Sequence, residues 1–96
     1  MMVVMKTMQD LQTLIETSNY MNYEIKDETA HIFKDTSINE ERYLLAIATY
    51  FPHIHCLQIT SYDETFEADR ITSNLDVNKL ETEDVEDGNV YKIYLK

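Results

Sequence analysis

Residues 81–96 read ETEDVEDGNVYKIYLK, and they carry the strongest strand and turn signals in the chain. Tyr91, Ile93 and Leu95 stand at alternate positions, which is the spacing of a β-strand with one apolar face. Asp87-Gly88, directly before that strand, is a dipeptide typical of tight hairpin turns. The acidic stretch ETEDVE is therefore expected to pair with the last strand, and antiparallel pairing should organise the C-terminal half.

Two further segments of the C-terminal half are predicted to be strands. Leu57 and Ile59 alternate with polar residues in CLQITSY, which favours a strand. A turn at Asp63-Glu64 would lead into TFEADRIT as the hairpin partner of that strand. Residues 73–80 are expected to form a loop or a single helical turn.

The first twenty residues predict an amphipathic helix. Apolar side chains recur at helical steps at Val4, Met8, Leu11, Leu14 and Ile15. Thr7 followed by Asp10 has the spacing of a capping box, and Ser18-Asn19 is a suitable end for the helix. A β-hairpin is expected next, over residues 23–33, because YEIK and AHIF flank a polar turn at residues 27–29.

A second amphipathic helix is predicted after this hairpin. The sequence SINE at residues 37–40 has the form of a capping box. The apolar face of the helix would be Leu44, Ile47, Ala48 and Phe51. Pro52 would end it, because the residue before a proline is disfavoured in the helical region.

The order of these elements predicts an α+β fold, in which both amphipathic helices pack on one face of a mainly antiparallel sheet. A parallel sheet would need strands and helices in strict alternation, and this sequence lacks that alternation. The chain of 96 residues is the size of one globular domain, which we expect to span residues 1–96.

The composition excludes several classes of function. Eight basic residues against eighteen acidic ones give a formal net charge of −10. This charge disfavours direct binding to nucleic acid or to anionic membranes, both of which recruit Lys and Arg. It favours a basic protein as the partner. With one cysteine, no signal-peptide pattern at the start and no apolar run of membrane-spanning length, the sequence predicts a cytoplasmic protein.

No motif in the sequence predicts catalysis, a metal or a cofactor. His53, His55 and Cys56, with His31 far away in the chain, lack the paired spacing of zinc ligands, and a buried cysteine among connecting histidines is the favoured interpretation. Gly88 is the only glycine, so neither phosphate-binding glycine loop can be present. The residues around Gly88 also fail the calcium-loop pattern, since Val85 and Tyr94 would occupy ligand positions. We therefore expect a protein that is not an enzyme.

The remaining feature is an acidic segment in which ten of the eighteen carboxylates lie between Asp63 and Asp87, opposed by Arg70 and Lys79. Acids two residues apart share one face of a strand, as Glu67 and Asp69 would, and as Glu81 with Glu83 or Asp84 with Glu86 could. Rows of carboxylates at this spacing could imitate a nucleic-acid backbone. The alternative is a solvated face that keeps the protein soluble. On the first interpretation the partner-binding residues are Asp63, Glu64, Glu67, Asp69, Glu81, Glu83, Asp84, Glu86 and Asp87, with Tyr62, Tyr91 and Tyr94 as aromatic anchors.

In size, acidity, tyrosine content and scarcity of glycine, the chain resembles the small proteins with which phages and mobile elements inhibit host nucleases, including nucleic-acid mimics and anti-CRISPR proteins. The resemblance is compositional and transfers no residues. It implies a non-catalytic inhibitor that occupies a basic groove of a nuclease or CRISPR effector and so evades host defence. The alternative is a small regulatory or adaptor protein with an apolar or edge-strand interface, such as a homodimer formed by edge-to-edge pairing of Tyr91–Leu95.

Overall fold

The computed structural model describes residues 2–34 and 43–96. Within these residues the chain forms one six-stranded antiparallel sheet and two α-helices. The elements are α1 (Met8–Thr17), β1 (Tyr23–Lys26), β2 (Thr29–Phe33), β3 (Leu44–Phe51), β4 (Cys56–Ser61), α2 (Ala68–Thr72), β5 (Val77–Val85) and β6 (Gly88–Leu95). The strand order is β1-β2-β3-β4-β6-β5. The predicted α+β class and mainly antiparallel sheet are confirmed.

Helix α1 follows the sequence prediction. The Thr7 hydroxyl accepts a hydrogen bond from the Gln9 amide, and the Asp10 carboxylate accepts one from the Thr7 amide at 2.9 Å, which completes the capping box. The hydrogen bonds that the Asp10 carboxylate accepts from the amides of Thr7 and Lys6 lower the pKa of Asp10. Val4 does not belong to the buried stripe, because the chain is still extended there and Val3 is buried in its place.

The β1–β2 hairpin also lies where the sequence predicts it. Asp27 and Glu28 form its two-residue turn, with φ angles of 50° and 64°. Positive φ at both positions is the mirror-image turn whose twist matches that of paired strands. The Thr29 hydroxyl donates to the Lys26 carbonyl at 2.7 Å and closes the turn without a glycine.

The predicted second helix is wrong, because Leu44–Phe51 is the strand β3. It pairs with β2 on one side and β4 on the other, and burial alternates at Ala46, Ala48 and Tyr50. Eight successive apolar or β-branched residues satisfy the helical and the strand period equally, and pairing on both edges decides between them. Pro52 begins a short 3₁₀ turn between β3 and β4. The predicted capping box at residues 37–40 lies outside the described residues.

The predicted hairpin between CLQITSY and TFEADRIT is also wrong. Strand β4 is present, but α2 occupies part of the second segment. Asp63 accepts the amide of Thr65 at 2.8 Å, and this local turn leads into the helix. Phe66 and Ile71 are then buried in the core, which a strand of alternating residues would not achieve.

The β5–β6 hairpin is confirmed, and β5 begins four residues earlier than the predicted partner strand. Its turn residues are Glu86 and Asp87, and Gly88 is the first residue of β6. A Cβ atom at Gly88 would collide with the carbonyl oxygen of Ser61 on β4. The glycine is needed for this close backbone approach rather than for a positive φ.

One hydrophobic cluster joins the sheet to both helices. It includes Leu14 and Ile15 of α1, Ile71 of α2 and the alternating apolar residues of β2, β3, β4 and β6. Tyr91, Ile93 and Leu95 pack into or against this cluster, as the alternation in the sequence predicts. No helix in the described part of the chain is long and apolar enough to cross a membrane.

Candidate partner-binding surface

The structure brings together acids from two separate segments at one end of the sheet. Asp63 and Glu64 follow the last residue of β4, and Asp87 lies in the β5–β6 turn. All three line a depression of about 290 Å³. Asp84 is the register partner of Asn89, which lines the same depression, and Glu86 adjoins Asp87 in the turn. We call Asp63, Glu64, Asp84, Glu86 and Asp87 the acidic end.

The backbone of β4 holds the two segments of the acidic end side by side. Ser61 pairs with Asn89, and the absence of a side chain at Gly88 lets the hairpin turn approach the Ser61 carbonyl. The Ser61 hydroxyl donates to the Asp63 carbonyl at 3.1 Å and fixes the start of the loop. Because β4 pairs with β6, residues 63 and 87 line the same depression.

Asp63 has a structural role within this surface. Its carboxylate accepts hydrogen bonds from the amide and the hydroxyl of Thr65, at 2.8 and 2.7 Å. These bonds, with a hydrogen bond from the Tyr43 hydroxyl and the positive charge of Lys34, lower the pKa of Asp63. The same contact with Asp63 raises the pKa of Tyr43. Asp63 therefore shapes the acidic end and stays ionised.

Glu64, Glu86 and Asp87 differ from Asp63, because they are exposed and make no side-chain hydrogen bond or ion pair with any described residue. Glu64 and Asp87 line the same depression and Glu86 adjoins Asp87 in the chain, so three negative charges are grouped. Such a grouping is unfavourable unless water, salt or a cation screens it. These three acids are the part of the predicted set best placed to meet a basic surface.

The other predicted acids lie elsewhere. Glu67 is 3.6 Å from the Arg70 guanidinium, and Asp69 is in the first turn of α2. Their predicted pairing on one strand face is wrong, since they do not lie on a strand. Glu81 is 3.0 Å from Lys79, and Glu83 lies on the same face of β5 as Glu81. The acidic segment is thus divided among three regions.

The three candidate tyrosines are also separated. Tyr62 lines the depression of the acidic end and is 42% exposed. Tyr91 packs against the hydrophobic core, and Tyr94 lies on the opposite face of β6 with the Lys79 ammonium 5.9 Å from its ring centre. Only Tyr62 of the three is placed as an aromatic anchor beside the acids.

Tyr43 is a residue of this surface that sequence reasoning missed. It is 54% exposed, it donates to Asp63, and the Lys34 ammonium lies 5.9 Å from its ring centre. The signal was hidden by the wrong assignment of residues 44–51 to a helix. As a strand, β3 places Tyr43 next to the end of β4, where the Tyr62 amide donates to the Leu45 carbonyl.

The histidines and the cysteine are spread over different environments. The His55 ring lies 3.2 Å from the Met5 carbonyl through Nε2, His53 is exposed, and burial raises the pKa of the Cys56 thiol. His31 is far from them on β2. Among the described residues no three His, Cys, Asp or Glu side chains are grouped so as to hold a metal ion.

The dimer interface predicted at Tyr91–Leu95 is wrong. Strand β6 is hydrogen-bonded to β4 on one side and to β5 on the other, so its backbone has no open edge. The edges of the described sheet are β1 and β5. Comparison of the chain with protein-family models, with curated proteins and with solved structures finds no match.

Proposed function

We propose that the protein is a non-catalytic binding protein whose acidic end enters a Lys/Arg-lined, nucleic-acid-binding groove of a partner protein. The observation that carries the proposal is that Glu64 and Asp87 line one depression with the exposed ring of Tyr62, and that Glu86 adjoins Asp87 in the turn. Carboxylates without an internal cation attract Lys and Arg over a Debye length and speed the encounter. An exposed aromatic ring adds an anchor with a large contact area.

The mechanism is competition. A groove filled by the acidic end cannot hold the phosphates of DNA or RNA, so the partner loses its substrate without any chemical change in either protein. This action fits the compositional resemblance to phage and mobile-element inhibitors, and a nuclease or CRISPR effector of the host is the partner class that we propose. The site of action would be the cytoplasm, and the mechanism needs no cofactor.

The first experiment identifies the partner. Immobilised protein captures proteins from a cell extract at low salt, and a salt gradient elutes them. We expect a highly basic nucleic-acid-binding protein in the eluate, because contacts between opposite charges weaken as salt screens them. Captured material that contains no such protein, or that resists salt elution, would argue against the proposal.

The second experiment uses matched variants. The test variant combines Glu64→Gln, Glu86→Gln and Asp87→Asn. The control variant combines Asp27→Asn, Glu28→Gln and Asp69→Asn, and it removes the same charge from exposed positions outside the acidic end. We expect the test variant to lose capture and inhibition of the partner while the control retains both. Equal loss in the two variants would make net charge, rather than the acidic end, responsible.

A further inference from the structure

Strand β5 is an exposed edge of the described sheet. Eight of its nine residues are exposed, and its outer backbone groups have no strand beside them. An open edge of this length is a template for pairing with another strand. The other described edge, β1, has only four residues and offers a much shorter template.

One face of β5 continues an apolar row of the sheet. Tyr50, Leu57, Ile93 and Leu80 are successive register partners across β3, β4, β6 and β5. The first three are at most 4% exposed, whereas Leu80 is 48% exposed. The row therefore ends in an aliphatic side chain that another strand would cover, and covering it is favourable.

The opposite face of β5 carries a positively charged and a negatively charged side chain close together. The Lys79 ammonium is 3.0 Å from the Glu81 carboxylate on the same strand. Glu81 has Lys92 of β6 as its inner register partner, and its outer side has no neighbour in the described sheet. A cation on that outer side would place the carboxylate between two positive charges.

A two-fold axis through β5 allows only a few antiparallel registers. Centring on Lys79 places the two lysines opposite each other, and centring on Glu81 does the same with the two glutamates. Centring on Thr82 sets Glu81 opposite the second copy's Glu83. Centring on Leu80 sets Lys79 opposite the second copy's Glu81 twice and stacks the two leucines, with no like charges opposed between residues 77 and 83. The Cβ atoms of directly opposed residues lie about 4.5–5.5 Å apart, close enough for their charges to interact. The register centred on Leu80 is therefore the one in which the opposed charges are complementary.

We propose that β5 pairs antiparallel with β5 of a second copy of this chain, about a two-fold axis at Leu80. The pairing joins two six-stranded sheets into one continuous sheet. It stops at two copies, because both copies use the same edge for it. Antiparallel pairing directs the two β5–β6 turns to opposite ends, and Glu64, Glu86 and Asp87 lie outside the paired residues 77–83. Asp84, the remaining β5 acid of the acidic end, lies at the level of the second copy's Asp76, whose carboxylate is 3.6 Å from the Lys96 ammonium. This inference does not rest on the proposed function, which a monomer could also perform.

The test uses two charge variants that complement each other. Lys79→Glu alone opposes acids to acids at both charged positions, and Glu81→Lys alone opposes bases to bases. Mixed together, they restore an opposite-charge pair at both positions. Lys26→Glu on β1 is the matched control, since it makes the same change in charge on the other edge. Circular dichroism verifies that each variant is folded.

Sedimentation velocity across a concentration series gives the readout, in moderate salt that screens repulsion between two chains of net charge −10. We expect the parent and Lys26→Glu to dimerise, each single β5 variant to weaken the dimer roughly tenfold or more, and the mixture to form a heterodimer. A parent that stays monomeric throughout the series would overturn the proposal. So would β5 variants that dimerise as tightly as the parent, or a mixture that forms no heterodimer.

Discussion

The surface around α2 and the acidic end use the same kind of side chain in opposite ways. At α2, the Arg70 guanidinium donates to the carbonyls of Ser18 and Asn19 at 3.1 and 2.7 Å, lies 4.1 Å from the ring centre of Tyr20 and approaches Glu67. Its positive charge is satisfied within the fold. At the acidic end, Glu64, Glu86 and Asp87 have no described cation beside them.

Acidic composition therefore does not by itself define a binding surface. Where a cation is built in, the charges hold two segments of the chain together, and mutation should cost stability. Where none is built in, mutation should cost binding and leave stability almost unchanged. Substitutions in the two regions, and in the contacts that position them, separate these two outcomes.

The largest effect is expected from Gly88→Ala, which attacks the backbone contact that creates the acidic end. The added Cβ collides with the Ser61 carbonyl, and β4 and β6 must separate locally. We expect a loss of about 3 kcal/mol in the free energy of unfolding, measured by urea denaturation. Asn78→Ala, at an exposed position of β5, serves as a control. An equal loss of stability in that variant would show that the contact with Ser61 is not the cause.

Arg70→Met tests the region with a built-in cation. The variant keeps an apolar side chain over Tyr20 but leaves the carbonyls of Ser18 and Asn19 without their donor. Because hydrogen bonds from a charged donor are stronger than neutral ones, we expect destabilisation of about 2 kcal/mol in urea. Lys26→Met removes an exposed cation from β1, outside both surfaces, and should change stability far less. Equal effects of the two variants would contradict the contrast.

Tyr20→Phe tests the hydroxyl that joins α1 to α2. This hydroxyl accepts from the Glu67 amide at 3.0 Å and donates to the Glu67 carbonyl at 3.2 Å. Its loss should cost about 1 kcal/mol in the free energy of unfolding, while the ring keeps its stack on Phe66. If thermal unfolding of the variant matched that of the parent, the hydroxyl would have no part in stability.

A smaller effect, visible in the pH dependence, is expected from Asp63→Asn. Hydrogen bonds from Thr65 lower the pKa of Asp63 in the folded state, so the ionised carboxylate stabilises the fold above its unfolded pKa of about 3.8. This contribution is lost as the pH falls through the lowered folded value. The parent should thus exceed the variant in stability at neutral pH, and the difference should shrink in acid. A difference independent of pH would contradict this role.

The sequence predicted the elements whose signals are local. The capping box of α1, the turn at Asp27 and Glu28, and the β5–β6 hairpin all depend on neighbouring residues and are confirmed. The strand β3 was missed because an apolar run fits both periods. The helix α2 was missed because it is only five residues long and its apolar pattern also fitted a strand, although Phe66 and Ile71, five residues apart, would face opposite sides of a strand and both are buried.

The candidate surface was predictable only in part. The sequence locates the acids along the chain, but their division depends on pairing between distant segments. Residue 63 meets residue 87 through β6, and Tyr43 reaches Asp63 through β3. Neither of these two proximities can be predicted from the order of the carboxylates along the chain. The edge at β5 likewise follows from the strand order and not from the β-propensity of Tyr91–Leu95.

The central claim is that the acidic end meets a basic groove, and the salt dependence of binding tests it most directly. The affinity for the captured partner is measured against salt concentration for the parent, for the variant Glu64→Gln, Glu86→Gln and Asp87→Asn, and for its control outside the acidic end. We expect a steep decrease in affinity with salt for the parent and the control, and a shallower slope with weaker binding for the test variant. Identical slopes and affinities in all three proteins would contradict the claim.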